Sequence, residues 1–134
     1  MTNEKSALHI HVIAQIAPEI FQMLNIPFPK NCNIYIGDSN IEHMKTSHPN
    51  DFKKYGSELV NILQYPDFVG RNAKDDSIEF VKEFEIENEF VKVAVRISAG
   101  KKFFARSLYI LNPNRVKRFI DKGTLKKMKN TENK

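Results

Sequence analysis

The scarcest features of the chain set its first limits. Its 134 residues hold a single cysteine, Cys32, and no tryptophan. One thiol closes no intrachain disulfide, and it rules out a structural zinc site of the multi-cysteine kind. At the head of a strand-like run, Cys32 reads as a small buried residue rather than a nucleophile. No stretch approaches the ~20 apolar residues that a membrane-crossing helix needs. The first residues lack the basic region, apolar run and small-residue cleavage site of a secretory signal. A reducing, cytoplasmic setting without membrane attachment is the expectation. Without tryptophan, the ten phenylalanines supply much of the aromatic core.

The remaining composition is that of a soluble domain, with 41% hydrophobic and 28% charged residues. A chain of this length buries one core without metal or disulfide support. Its 21 basic and 16 acidic side chains leave a net charge of +5 and an isoelectric point near 9.3. That balance suits an anionic partner such as nucleic acid, because neutralised phosphates release counterions. Part of the excess lies between Lys117 and Lys134, which also reads as a solvated tail.

Periodicity divides the chain. Leu8–Ile13 alternates like a strand but runs into helix-like residues, so its state is open. Pro18 suits the first turn of a helix through Leu24, which Pro27 and Pro29 end. Asn33–Ile36 is a short strand stopped by Gly37, and Asp38 or Ser39 can cap the helix that follows. Pro49 opens a second helix carrying Phe52, Leu59 and Leu63, ended by Tyr65-Pro66. Phe68–Gly70 reads as a brief edge strand. From Ile78 the period becomes two, giving strands over Ile78–Ile86, Phe90–Ser98 and Phe103–Leu111 joined as an antiparallel meander. Asn112-Pro113-Asn114 caps a last helix that ends near Gly123. The expected fold is α+β, with N-terminal helices on one face of an antiparallel sheet of about four strands and a C-terminal helix. Residues 1–30 are expected as a helical segment of one domain, 31–123 as its core and 124–134 as a basic tail.

The chemistry centres on Ile41–Pro49, which packs His43, Lys45, Thr46, Ser47 and His48 into one short stretch. Histidine has an unperturbed pKa near neutrality and is the usual carrier of protons in catalysis. At 100° per residue, His43 lies about 130° from the mean direction of Ile41 and Met44, on the polar flank of its helix. His48 precedes Pro49, which biases it into the connection. In the second meander strand, Lys92, Ala94, Arg96 and Ser98 oppose the valines at 91, 93 and 95. In the third, Phe104, Arg106, Leu108 and Ile110 are the expected core set, although Arg106 breaks it. Arg96, Ser107 and Tyr109 then share the open face unless a bulge intervenes.

RNA cleavage by attack of the 2′-hydroxyl needs a base, a cation or donor at the phosphorane, and an acid for the leaving 5′-oxygen. His43 can be base or acid. Arg96 or Lys45 can hold the phosphate, and Ser107 and Tyr109 can hydrogen-bond it, with Tyr109 also able to stack on a base. His48 and Arg106 are further substrate-binding candidates. Each residue also has a plain structural role available, as a solvated charge, a helix-flank histidine or a half-exposed strand hydroxyl. His9 and His11 have the weakest case. Glu83, Glu85, Glu87 and Glu89 would repel RNA and belong at a distal edge.

Several short motifs occur in order: a strand, the His43 helix, His48-Pro49, a second helix, Tyr65-Pro66-Asp67-Phe68, and a meander whose last strand holds Ser107-Leu108-Tyr109. Over about Ile34 to Phe119 this resembles the phage-associated nuclease-like domains of the barnase, EndoU, colicin tRNase and RelE grouping. The resemblance implies helices on a four-stranded sheet and metal-independent ribonuclease activity without a cofactor. It implies a helix histidine matching His43 as general acid/base, a strand cation matching Arg96, and a hydroxyl–aromatic pair matching Ser107 and Tyr109. RNA, with tRNA as one substrate class, and a cognate immunity or antitoxin protein are the expected partners. The reading that competes with this toxin- or effector-like enzyme is a non-catalytic nucleic-acid-binding or protein-interaction module of a phage or mobile element.

Overall fold

Stretches of alternating apolar and polar residues bounded by turns build the middle of the molecule, as the pleat requires. The computed structural model describes residues 9–129. In chain order the elements are β1 (Ile10–Gln15), α1 (Pro18–Met23), β2 (Asn33–Gly37), α2 (Asp38–Ser47), α3 (Pro49–Tyr55), a 3₁₀ turn (Gly56–Glu58) and α4 (Leu59–Gln64). They continue with β3 (Phe68–Arg71), β4 (Ile78–Phe84), β5 (Glu89–Ile97), β6 (Phe103–Leu111), α5 (Pro113–Asp121) and β7 (Leu125–Lys127). The strands form one seven-stranded sheet in the order β1-β2-β6-β5-β4-β3-β7. All neighbours are antiparallel except β2 and β6, which run parallel.

One sheet face carries the main core. Ile78, Phe80, Val93, Val95, Ala105 and Leu108 are buried there under Phe21, Met44, Ile62 and Leu63 from the helices. A smaller cluster on the other face joins Phe68, Val81, Leu111 and Leu125 to Val116 of α5. Asn112 caps α5 by accepting a hydrogen bond from the Asn114 N–H at 2.8 Å, and Gly123 beyond it has the left-handed φ of 80° that ends helices readily.

Parallel pairing of β2 with β6 covers only Ile34–Phe103 and Tyr35–Phe104. Past that point the edge of β6 meets α2 and α3 instead of a strand. Asp51 of α3 accepts the Ile110 N–H at 3.0 Å, satisfying a strand donor that has no strand partner. This substitution of helix for strand brings α2 beside the outer face of the meander.

Several expectations are corrected. The sheet has seven strands, not about four. Leu125–Lys127, inside the supposed tail, pairs with β3, and Met128 donates to the Asp67 carbonyl at 2.9 Å. β3 is internal, between β4 and β7, not an edge. Residues 10–15, within the supposed helical segment, form an edge strand on β2 with a register shift between Val12 and Ala14. The cap of α2 is Gly37, whose N–H is accepted by the Asn40 side chain at 2.8 Å, rather than Asp38 or Ser39. β6 does not keep one alternation. Val95 pairs with Ala105 and Ala94 with Ser107, so Arg106 is the extra residue of a bulge. The core set is therefore Phe103, Ala105 and Leu108, while Phe104 is half-buried and Arg106 is exposed.

Candidate functional site

Helix α2 holds His43 through its buried neighbour. Met44 is fully covered by the core, which fixes the rotation of the helix and leaves His43, one residue before it, exposed. At the helix start, His9 Nδ1 lies 2.6 Å from Asp38 Oδ2, and the first-turn carboxylate suits the positive end of the helix. One turn on, Ser47 Oγ lies 3.3 Å from His43 Nε2 and 3.5 Å from Nδ1, against the ring rather than in line with either nitrogen.

The other half of the site comes from the meander. Arg96 pairs across the strands with Phe104, and the bulge turns Arg106 outward beside them. His43, Arg96, Arg106, Asn40, Ser98 and Phe104 line one open groove of about 500 Å³. Two guanidinium groups face it, and none of the described residues lining it is a carboxylate. Asp75, in the turn before β4, feels the Arg96 charge from outside. Its pKa is held low mainly by the N–H and hydroxyl of Ser77, with Arg96 contributing less. A basic groove with one histidine at its wall can bind a phosphodiester and move a proton at it.

The remaining sequence candidates sit elsewhere. His48 links α2 to α3 with φ −140° and ψ 70°, outside the helical region as a residue before proline should be. Its ring stacks on Tyr109 at 4.7 Å between centroids. Ser107 is half-buried opposite Ala94, on the same face as Arg96 and Tyr109 but outside the groove lining. Lys45 is exposed on α2 and does not line the groove. The structure thus brings together His43, Arg96 and Arg106 in one place, and His48 with Tyr109 in another. Asn40, Ser98 and Phe104 of the groove were not foreseen. Asn40 carried a weak signal as a polar residue in the first turn of the helix.

Of the acidic run Glu83–Glu89, none lines the groove. Glu89 begins β5, seven residues from Arg96, or about 23 Å at strand spacing. It accepts hydrogen bonds from Lys54 Nζ at 2.8 Å and the buried Tyr55 hydroxyl at 2.6 Å. Lys54 first, and then Tyr55, hold its pKa below the usual carboxylate range. Also unforeseen is a buried ion pair on the sheet face, Lys92 Nζ to Glu79 Oε2 at 3.0 Å.

Residues 10–118 match the family model described as phage-Barnase-EndoU-ColicinE5/D-RelE like nuclease3. No curated protein and no solved structure matches the chain. Among the described residues no helix is long and apolar enough to cross a membrane.

Proposed function

Because the chain belongs to this family of nuclease-like domains, we propose that it is a metal-independent endoribonuclease whose reaction centre is the groove between α2 and the β5–β6 face. The observation that carries the reading is the convergence of His43, Arg96 and Arg106 on one basic groove. His43 takes the proton of the 2′-hydroxyl as the 2′-oxygen–phosphorus bond forms. Arg96 holds the non-bridging oxygens as a planar fork while charge builds on the phosphorane. The bond from phosphorus to the 5′-oxygen then breaks, leaving a 2′,3′-cyclic phosphate, and the departing oxygen takes a proton from solvent water while His43 returns its own to solvent. The bulge gives Arg106 access to the same phosphate or its neighbour. Ser107 and Tyr109, on the same sheet face, are assigned to phosphate oxygens and to a flanking base. His48 and Lys45 are assigned to substrate binding, at the Tyr109 stack and on the outer wall of α2.

Loss of a positioned general acid/base costs about 10²–10⁴-fold in rate. His43→Ala is therefore expected to lower kcat by that factor while its circular dichroism and urea midpoint stay those of the wild type, since the ring is exposed. Arg96→Lys keeps the charge but loses the fork, and is expected to lower kcat more than it raises KM. Cleavage by His43→Ala at the wild-type rate would remove His43 from the chemistry.

A further inference from the structure

The groove at His43 has a neighbouring recess on this side of the sheet. Lys92, Ala94 and Arg96 alternate onto the same face of β5. A second cavity, of about 610 Å³, surrounds Lys92 and Tyr109. Its floor is the buried ion pair. Lys92 and Glu79 are exposed by only 9% and 7%, and Asn72 Nδ2 donates to the same Glu79 oxygen at 3.1 Å. The Lys92 ammonium lies 4.9 Å from the Tyr109 ring centroid. Glu79 is the one carboxylate among the described lining residues, and its charge is already met by Lys92 and Asn72.

The rim is another matter. Arg71, Lys74 and Arg115 border the cavity. Arg71 has Asp76 at 3.4 Å, whereas among the described residues no carboxylate pairs with Arg115. A neutral floor under Lys74 and Arg115, neither of which meets a carboxylate among the described residues, suits an anion, with the floor setting the shape and the rim supplying the charge. Along the paired strands, Ala94 and Ser107 are the pair that separates the two recesses. Lys92 and Arg96 are four residues apart on one strand, about 13 Å.

We propose that the Lys92 cavity is a second backbone-phosphate subsite, occupied by the nucleic-acid strand whose scissile phosphate sits at Arg96 and Arg106. The substrate is then an oligonucleotide lying across β5 and β6 rather than a single dinucleotide step. This rests on the nuclease reading of the His43 groove, and the test separates the two. A fluorescent 2′-O-methyl hexanucleotide lacks the attacking hydroxyl, so its affinity reports binding alone. Anisotropy titrations over a range of salt compare wild type, Arg115→Ala and Arg115→Ala/Lys74→Ala, both exposed positions, with folding checked by circular dichroism. Each lost phosphate contact is expected to reduce the salt slope by about one. Affinity for the hexanucleotide should fall several-fold, while a 2′-O-methyl dinucleotide binds all three proteins alike. Unchanged hexanucleotide affinity and slope in both variants would overturn the subsite, as would a wild type that does not bind the hexanucleotide. Failure of the wild type to cleave the unmodified RNA hexanucleotide of the same sequence, beside a reduced slope in the variants, would overturn the nuclease reading and leave the subsite standing.

Discussion

Glu79→Leu tests the energetics of the outer sheet face most sharply. The carboxylate is buried, accepts from Lys92 at 3.0 Å and from Asn72 at 3.1 Å, and stands opposite Ala94 in the middle of the sheet. Removing it leaves a covered ammonium without its counter-charge, a change that costs about 3–5 kcal/mol. The lysine can escape by losing its proton, which at pH 7 caps the penalty at about 4.6 kcal/mol for an ordinary lysine pKa. Against a typical domain stability of about 5–15 kcal/mol, that is a large fraction. The double variant Glu79→Leu/Lys92→Met removes both charges and is expected to recover most of the loss, because an apolar pair needs no desolvation. Burial is the largest influence on Lys92 and pulls its pKa down, but the Tyr109 hydroxyl and the Glu79 carboxylate together outweigh it, so the net direction is upward. A raised folded pKa means that this stabilisation is complete below the unfolded lysine value and is lost as pH rises through the folded one. Urea unfolding at pH 7 and in the alkaline range measures all of this. A Glu79→Leu penalty under about 1 kcal/mol, or a double variant as unstable as the single, would refute the reasoning.

Three further outcomes follow from the same contacts. Asp51→Ala strips the β6 edge of the acceptor for the Ile110 N–H and should cost about 1–3 kcal/mol in urea unfolding, the penalty of an orphaned donor. Glu89 has a depressed folded pKa, so its contribution is present above the unfolded carboxylate value and is lost as pH falls through the folded one. Glu89→Gln should flatten the acid limb of the stability–pH curve, and an unaltered limb would count against the Lys54–Glu89–Tyr55 cluster. Gly70→Ala places a Cβ 2.5 Å from the Thr124 carbonyl oxygen, too close to accommodate without moving β7. It should destabilise by about 1–3 kcal/mol and speed amide exchange across Leu125–Lys127, whereas wild-type protection there would show that β7 adapts.

Much of the frame is legible in the residues. The bounds of β6 and the Asn112 cap follow directly from alternation and from the Asn-Pro-Asn signal, and the phase of Met44 places His43 outward. The bulge is what alternation conceals. Phe104, Arg106, Leu108 and Ile110 look like one face, and the arginine among them is the sole hint that the strand steps across at that point. Leu125–Lys127 has no period-two pattern, because β3 templates it through backbone hydrogen bonds. The Glu79–Lys92 pair depends on cross-strand register, which neither segment specifies alone. The site follows the same rule. Helical phase exposes His43, but its meeting with Arg96 and Arg106 requires both the bulge and the early end of β2.

The most direct test of the His43 groove is incubation of total tRNA and a single-stranded RNA with wild type and His43→Ala in EDTA, with the product ends identified. Cleavage that survives chelation, yields 2′,3′-cyclic phosphates and disappears in the variant is the predicted result. A folded wild type that leaves both RNAs intact, or a variant that cuts them equally well, would contradict it.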